Sequence, residues 1–242
     1  MADKSVRHEK VKKAKRMTKP GTVDRGHVQE PKMKVLLVNG SPHAKGCTYT
    51  ALDEVSKTLN AEGIETEIFQ VGTKPLSGCT ACGSCRETGR CKTPDRVNEF
   101  LDIAANADGF VFGSPVHFAA ASGAITSFMD RAFFAGMRSP SRIFRLKPAA
   151  AVVSARRAGT TATFDQLNRF FTISEMPVIS SKYWNNVHGF TPEDVKKDLE
   201  GLQVMRVLGR NMAWFLKCKK AGIKAGVPLP EREEPIATNF IR

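Results

Sequence analysis

The stretch VNGSPHAKGCT, residues 38–48, decides the fold of this 242-residue chain. It ends the apolar run KVLLV and precedes Leu52, Val55 and Leu59, which recur at helical spacing. A short apolar run that ends in glycine is typical of a strand buried on both faces of a parallel sheet. A strand, a loop with glycine and a helix, in that order, predict the opening βαβ unit of an α/β fold.

The same alternation of strands and helices continues along the chain. Further strands are predicted at ETEIFQV (65–71), DGFVFGS (108–114) and KPAAAVVSA (147–155), with a short fifth strand near PVISS (177–181). Parallel neighbours joined by helices imply right-handed crossovers and helices on both faces of the sheet. The sequence therefore predicts a doubly wound, five-stranded parallel sheet in a three-layer α/β/α domain spanning residues 32–190.

Both ends of the chain differ from this domain. Residues 1–31 hold nine Lys or Arg against four Asp or Glu and almost no large apolar side chains, which predicts a flexible basic arm. At the other end TPED (191–194) is typical of a helix start. Residues 191–242 are interpreted as a long helix and an extended tail, packing on the domain or on a partner subunit. The helix has one predicted apolar face: Val195, Leu199, Leu202, Met205, Leu208, Met212 and Phe215.

Composition limits the function classes. Hydrophobic residues make up 41% of the chain and charged residues 25%, as in ordinary globular proteins. No apolar run approaches the roughly 20 residues of a membrane span, and the N-terminus lacks a signal core, so a cytoplasmic location is expected. The net charge of +13 raises the question of nucleic acid, but the arm lacks base-stacking aromatics, so this partner is not favoured.

Three loops are candidates for a ligand site, because ligands of open parallel sheets bind beyond the carboxyl ends of the strands. In the first loop Ser41, His43, Gly46 and Thr48 lie directly ahead of a helix, where hydroxyl and backbone N–H groups favour a phosphate dianion. The loop lacks the lysine and the spacing of a P-loop. An ordinary capped turn is the alternative.

The other two loops supply flat packing surfaces and positive charge. Pro115, Val116, His117 and Phe118 follow the third strand, where an aromatic ring could pack, or where a plain turn could lead to the next helix. Ser154, Arg156 and Arg157 follow the fourth strand. The two guanidinium groups could stabilise negative charge on a ligand, or simply be solvated surface arginines.

Four of the six cysteines fall within thirteen positions: Cys79, Cys82, Cys85 and Cys91. Their spacing, C-x2-C-x2-C-x5-C, places soft thiolate ligands around a small volume. A [4Fe-4S] cluster is the leading interpretation. Structural zinc and unligated thiols remain open as alternatives, whereas disulfides would be strained at this spacing and unexpected in a reducing compartment.

With these residues in view, the sequence resembles the flavodoxin-like NADPH-dependent FMN reductases and, within them, the iron-sulfur flavoproteins. The resemblance covers about residues 32–242 and leaves out the basic arm. It rests on six ordered blocks: VNGSPHAKGCT, GCTACGSCRETGRC, GSPVHFAAASGAITSFMDR, SARRAGTTATFDQLNRFF, KYWNNVH, and NMAWFLK through to TNFIR.

The resemblance implies positions for the cofactor. Ser41, His43, Cys47 and Thr48 would surround the FMN phosphate, while 115–118 and 154–157 would flank the ring. Two positions depart from the family pattern, with Cys47 where asparagine is common and His117 where tyrosine is common. The cysteine spacing matches the iron-sulfur flavoproteins, although relatives with similar GCxxCGxC segments need not hold a cluster.

The resulting hypothesis is an FMN-dependent oxidoreductase. NAD(P)H or a reduced electron carrier would supply electrons to FMN, and a cluster would couple two-electron to one-electron transfer. No residue is predicted as a catalytic acid or base. The resemblance also implies a homo-oligomer, a homodimer or homotetramer. The alternatives are a non-catalytic electron carrier and, less favoured, a nucleic-acid-binding protein that uses the arm.

Overall fold

The computed structural model describes residues 32–140 and 142–238. The predicted basic arm, residues 1–31, lies outside the described residues, and so do Ser141 and the last four residues of the predicted tail. Within the described ranges none of the helices combines the length and the apolar character needed to span a bilayer.

Strands and helices alternate along the described chain. The strands are β1 (Lys34–Asn39), β2 (Glu65–Gln70), β3 (Gly109–His117), β4 (Ala120–Ala121), β5 (Ala149–Ala155) and β6 (Asn186–His188). The helices are α1 (Cys47–Ala61), α2 (Cys85–Thr88), α3 (Arg96–Ala104), α4 (Gly123–Arg138), α5 (Thr160–Ile173), α6 (Pro192–Lys197) and α7 (Leu199–Lys224).

Five strands form a parallel sheet in the order β2-β1-β3-β5-β6, and β4 pairs antiparallel with the end of β3. The direction of winding reverses between β1 and β3, which opens a crevice at their carboxyl ends. This is the doubly wound flavodoxin-like topology, and it confirms the predicted fold class.

Each face of the sheet is covered by a separate apolar core. Along β1 the buried side chains alternate, with Leu36 and Val38 on one face and Val35 and Leu37 on the other. The first face packs on α3, α4 and α5 and is rich in phenylalanine, including Phe100, which contacts five other rings. The second face packs on α1 and α7. The result is the expected three-layer arrangement.

The predicted position of the fifth strand is wrong. Residues 177–181 make only an isolated bridge, Ala149 to Val178, and the strand forms at β6 instead. The Ser181 hydroxyl donates to the Tyr183 carbonyl at 2.6 Å and turns the chain away from the sheet. The chain returns through Asn185, whose carbonyl accepts the Val153 N–H at 2.9 Å and whose amide donates to the Ala151 carbonyl at 3.0 Å.

The single helix predicted after Thr191 is also wrong, because it is two helices. Thr191 and Asp194 form a reciprocal capping box that begins α6. The chain then leaves helical geometry at Asp198, with φ −76° and ψ 76°, and the Asp198 carboxylate caps α7 by accepting the Gly201 N–H. The break rotates the predicted apolar stripe, so Leu199 is 73% exposed.

Beyond the break the apolar stripe of α7 packs on α1 of the same chain. Val204, Met205, Leu208 and Met212 are buried in the second core. After α7, residues 227–238 have no regular secondary structure and are exposed.

We expect Gly209→Ala to lower the free energy of unfolding by about 1–2 kcal/mol, since overpacking outweighs the gain in helix propensity. A β-carbon at Gly209 would lie 2.8 Å from Thr58 Cβ and 3.2 Å from the Val55 carbonyl oxygen, and neither atom can swing aside. Urea denaturation measures the change.

The matched control is Gly222→Ala on the same helix, where a β-carbon meets nothing nearer than 4.0 Å. This variant should be more stable than the parent by about 0.5–1 kcal/mol. Equal stability of the two variants would contradict the close approach of α7 to α1.

Candidate functional site

Three turns at the carboxyl edge of the sheet contact one another. Thr48 in the first turn of α1 shares a buried hydrogen bond of 2.8 Å with Ser154 at the end of β5. Ser122, which precedes α4, donates to the Gly40 carbonyl at 3.1 Å. Gly159 lies so close to the β3–β4 hairpin that a β-carbon there would be 2.7 Å from Ala119 Cα. The structure thus brings the three predicted loops together.

The β1–α1 loop is held in place by its own hydrogen bonds. Asn39 Oδ1 accepts the Ser41 N–H at 3.1 Å, and Ser41 Oγ accepts the His43 N–H at 3.1 Å. From the neighbouring strand, Gln70 donates to the Ser41 carbonyl at 2.7 Å and accepts from the Asn39 amide at 2.7 Å. These hydrogen bonds hold the backbone of the loop in one conformation.

The N-terminus of α1 has no side-chain cap. Gly46 is the N-cap residue, and the first turn contains no acidic side chain. Helices α3, α4 and α7, by contrast, are capped by Asp95, Ser122 and Asp198. Uncapped N–H groups at the positive end of the helix dipole attract anions. Helix α5 likewise begins at Gly159 without a side-chain cap, at the same edge.

The predicted residues of the first loop differ in their surroundings. Ser41 and Thr48 are buried, whereas His43 is exposed. The Cys47 side chain is half-buried, and its sulfur lies 3.7 Å from the Gly189 carbonyl oxygen in the turn after β6. Burial raises the pKa of the Cys47 thiol, with smaller contributions in the same direction from Asp194 and Glu193.

The second predicted loop is a strand end and a tight hairpin. Pro115 to His117 continue β3, and the chain turns at Phe118 and Ala119, whose φ values are +50° and +62°. Left-handed backbone at two consecutive non-glycine residues costs of order 1–3 kcal/mol each. The hairpin is held by Gln166 on α5, whose side-chain oxygen accepts the Ala121 N–H at 3.1 Å. The Phe118 ring is fully exposed.

In the third predicted loop the residue on β5 is buried, and the residues after the strand are exposed. Ser154 is buried and contacts Thr48, as described above. Arg156 and Arg157 follow in the turn before α5, and both are exposed. They place two positive charges at the same edge as the uncapped N-termini of α1 and α5.

All four clustered cysteines line one pocket. It lies between the β2–α3 connection and α4, whose Arg131, Phe134 and Ala135 complete the wall. Cys79 and Cys82 are exposed, Cys85 is buried and Cys91 is half-buried. The connection starts at the carboxyl end of β2, and near its other end Arg96 donates to the Gln70 carbonyl at 2.6 Å.

The thiols do not converge on one point. Within residues 32–140 and 142–238, no three Cys, His, Asp or Glu side chains are close enough to share a single metal ion. Burial raises the pKa of the Cys85 thiol, and neighbouring Cys79 and Cys82 add to this effect. The backbone N–H of Ser84 lowers the pKa of Cys82. The four thiols therefore line one pocket but differ in burial, and the pKa values of Cys82 and Cys85 shift in opposite directions.

The sequence interpretation missed the residues that support the site. Asn39, Gln70 and Gln166 act through hydrogen bonds to loop backbone, and an isolated amide in a sequence carries no signal of such a contact. Arg131 did leave a signal, since it lies on the apolar face of its helix beside Phe128 and Ala132. A charged residue in such a stripe indicates a buried partner.

Comparison with known proteins adds an independent line of evidence. The family model described as NADPH-dependent FMN reductase matches residues 33–191. A protein named iron-sulfur flavoprotein from Methanocaldococcus jannaschii is 35% identical over 198 residues, covering 78% of this chain and all of that protein. One of the same name from Archaeoglobus fulgidus is 29% identical over 188 residues, covering 74% of this chain and 95% of that one.

Solved structures are similar in fold. RosB with a bound flavin intermediate aligns with a TM-score of 0.59 at 15% identity, covering 87% of this chain and 94% of that one. A flavodoxin from the domain Archaea aligns with a TM-score of 0.51 at 13% identity, covering 76% of this chain and 99% of that one. These likenesses support the flavodoxin-like architecture.

We expect Gly159→Ala to loosen the β3–β4 hairpin, because its β-carbon would collide with Ala119 Cα and Val116 Cγ1, both at 2.7 Å. Faster deuterium uptake in a peptide spanning residues 116–122, measured by mass spectrometry, is the expected result.

Gly72→Ala is the control. Gly72 has φ +93° against +94° at Gly159, but nothing lies within 4 Å of its β-carbon position. Both variants carry the same left-handed strain, of order 1–2 kcal/mol. If the two changed uptake in the hairpin equally, the contact between the β5–α5 turn and the hairpin would be refuted.

Proposed function

This chain belongs to the NADPH-dependent FMN reductase family, and from that premise we propose that FMN binds where the three turns meet at the carboxyl edge of the sheet. Membership of the family makes the chain an oxidoreductase of the flavoprotein class. The observation that carries the proposed site is the Thr48–Ser154 contact beside the uncapped N-terminus of α1. It joins the first and third turns at a helix end suited to a phosphate.

The β1–α1 loop would hold the phosphate. Ser41, His43 and Thr48 supply polar side chains there, and the first N–H groups of α1 supply donors. Because the Cys47 sulfur is turned toward Gly189, Cys47 would contribute through its backbone N–H. This answers the departure from asparagine at that position, since a backbone donor does not depend on the side chain. No proton transfer is assigned to these residues.

The other two turns would flank the ring of the cofactor. Pro115 and Val116 present half-buried apolar surface, His117 and Phe118 lie exposed at the hairpin, and Ser154 anchors the opposite side. The positive charges of Arg156 and Arg157 would favour an anionic ligand at this edge. When bound, FMN supplies a ring that exchanges one or two electrons.

We further propose that Cys79, Cys82, Cys85 and Cys91 hold a [4Fe-4S] cluster. Four soft thiolate ligands around one pocket fit such a group, because each iron takes its own cysteine and the four sulfurs need not meet at one ion. Zinc bound tetrahedrally by the four sulfurs is the alternative, and iron and sulfide analysis distinguishes the two. A cluster supplies one-electron transfer.

The electron donor and acceptor belong to the same proposal. NAD(P)H or a reduced carrier would supply electrons, and a small molecule or redox protein would take them up. The proposal also includes assembly into a homodimer or homotetramer. It places the protein in a reducing cytoplasm, where free thiols persist. A non-catalytic electron carrier differs from an enzyme in one measurable respect, since only the enzyme turns over NAD(P)H with quinones or free flavin.

Purified anaerobically, the protein should show flavin absorption bands that bleach when NADPH is added.

Thr48→Val should weaken FMN binding by about 10–100-fold, because it removes a hydroxyl that would contact a charged group, a bond worth about 1.5–3 kcal/mol. Titration of the apoprotein with FMN, followed by flavin fluorescence, measures the dissociation constant.

The control is Thr58→Val, the same substitution on the same helix but about 15 Å away. It should leave FMN affinity unchanged. A wild-type protein that neither carries flavin nor binds added FMN would overturn the proposed function, and equal affinities for both variants would overturn the placement of the phosphate.

Cys85→Ser should lose most of the iron and acid-labile sulfide found in the anaerobically purified parent, because one iron then lacks its thiolate and the ligand is the buried one of the four. Cys218→Ser is the matched control, as this exposed cysteine lies on α7 outside the pocket. Iron and sulfide analysis per chain decides the question. Retention of FMN without iron in the parent would remove the cluster while leaving the flavin proposal intact.

A further inference from the structure

Arg131 is a buried cation in the wall of the cysteine pocket. Its side chain is 2% exposed, although it lies on the apolar face of α4. The guanidinium makes two hydrogen bonds to the Asp95 carboxylate, at 2.7 and 2.9 Å, and one to the Thr93 carbonyl at 3.3 Å. Its remaining partner is a sulfur, since Nε–H donates to Cys91 Sγ at 3.2 Å.

The geometry of this contact is fixed on both sides. The Asp95 carboxylate accepts hydrogen bonds from both terminal nitrogens. Because the guanidinium group is planar and rigid, this bidentate contact also fixes the direction of its Nε–H. On the other side Asn98 holds the Cys91 backbone, accepting its N–H at 3.0 Å and donating to its carbonyl at 2.8 Å. The donor cannot turn away without breaking the two hydrogen bonds to Asp95, and the backbone that carries the sulfur is held in place.

The hydrogen bond from Arg131 to Cys91 is weak unless the sulfur carries negative charge. A guanidinium is expensive to bury, and Asp95 alone would satisfy it as an ion pair. A neutral thiol is a weak acceptor, whereas a metal-bound thiolate is negatively charged and gains most from a cationic donor. The arrangement around Arg131 therefore matches a ligated Cys91 better than a free one.

We propose that Arg131 raises the reduction potential of the cluster by donating a charged hydrogen bond to the Cys91 thiolate, an inference that rests on the proposed cluster. On reduction the cluster gains one electron and no proton, because the guanidinium keeps its hydrogen. The added negative charge strengthens the bond from Nε–H. The reduced state is stabilised more than the oxidised state, which moves the potential upward.

A second arginine on the same helix provides a comparison. Arg138 is exposed, stacks on the Phe134 ring at 4.4 Å, and acts on Cys85 through its charge. It puts the same charge beside the pocket without a described hydrogen bond to a sulfur, and solvent screens it. Arg138→Gln thus measures the effect of nearby charge alone.

The test is a redox titration of the anaerobically purified full chain, followed by the electron paramagnetic resonance signal of the reduced cluster, after iron and sulfide analysis of each protein. Arg131→Gln should lower the ratio of reduced to oxidised cluster at a fixed potential at least tenfold, about 59 mV for one electron. In Arg138→Gln the change in the logarithm of this ratio of reduced to oxidised cluster should be less than half of that in Arg131→Gln. Arg131→Lys keeps the charge but cannot bond Asp95 and Cys91 with the same fork, so its potential should fall between those of the parent and Arg131→Gln.

Several results would overturn the inference. An Arg131→Gln cluster at the parent potential, or an equal shift in Arg138→Gln, would refute the role of the hydrogen bond. If Arg131→Gln holds no iron, Arg131→Lys decides, and a parent-like potential there counts against the proposal. A parent with FMN but no iron would end both the cluster proposal and this inference, while a parent with neither would end the proposed function as a whole.

Discussion

The whole site depends on how closely helix α1 approaches the sheet, and this approach is possible only because residue 113 has no side chain. A β-carbon at Gly113 would lie 2.8 Å from Thr48 Cγ2 and 2.9 Å from Leu52 Cδ1. With hydrogen there, the first turn of α1 settles onto β3, and Thr48 reaches across it to Ser154 on β5. One glycine in the middle strand thereby joins the first turn to the third, and the uncapped helix end is aimed at the crevice between them.

Contacts of Gln70 link the β1–α1 loop to the segment beside the cysteine pocket. Gln70, at the end of β2, bonds the Ser41 carbonyl with its side chain, and its own carbonyl accepts from Arg96 at 2.6 Å. Arg96 directly follows Asp95, the residue that grips Arg131 beside Cys91. Hydrogen bonds and the peptide link between residues 95 and 96 thus connect the two proposed cofactor sites. If FMN and a cluster occupy these sites, these contacts would help to fix the distance between them, on which electron transfer depends.

The sequence predicted the parts of the fold that depend on local pattern. The apolar runs of β1, β3 and β5 and the repeats of α1 and α4 are visible in the letters alone, and their order implies the parallel sheet. The fifth strand was misplaced because PVISS has the stronger apolar pattern, whereas β6 holds one buried apolar residue, Val187. The choice between them is made by Ser181, which turns the chain, and Asn185, which bonds β5. The break at Asp198 was hidden because the helical spacing of apolar residues in the sequence continues across it, from Val195 to Leu199 and Leu202.

In the candidate site, too, the features set by local sequence pattern were predicted, and those set by contacts between distant residues were not. Loop residues could be chosen because strand ends meet at one edge in this topology. Gln70 and Gln166 could not, since their backbone contacts are 29 and 45 residues away in the sequence. The hairpin at Phe118 and Ala119 is the hardest case. Two-residue hairpins normally use Asn or Gly at left-handed positions, and neither is present. The strained turn is imposed from outside by Gly159 and Gln166, and strain of this kind, held by surrounding contacts, is typical of functional sites. The contacts with Gly159 and Gln166 hold the hairpin in the conformation that it presents at this edge of the sheet.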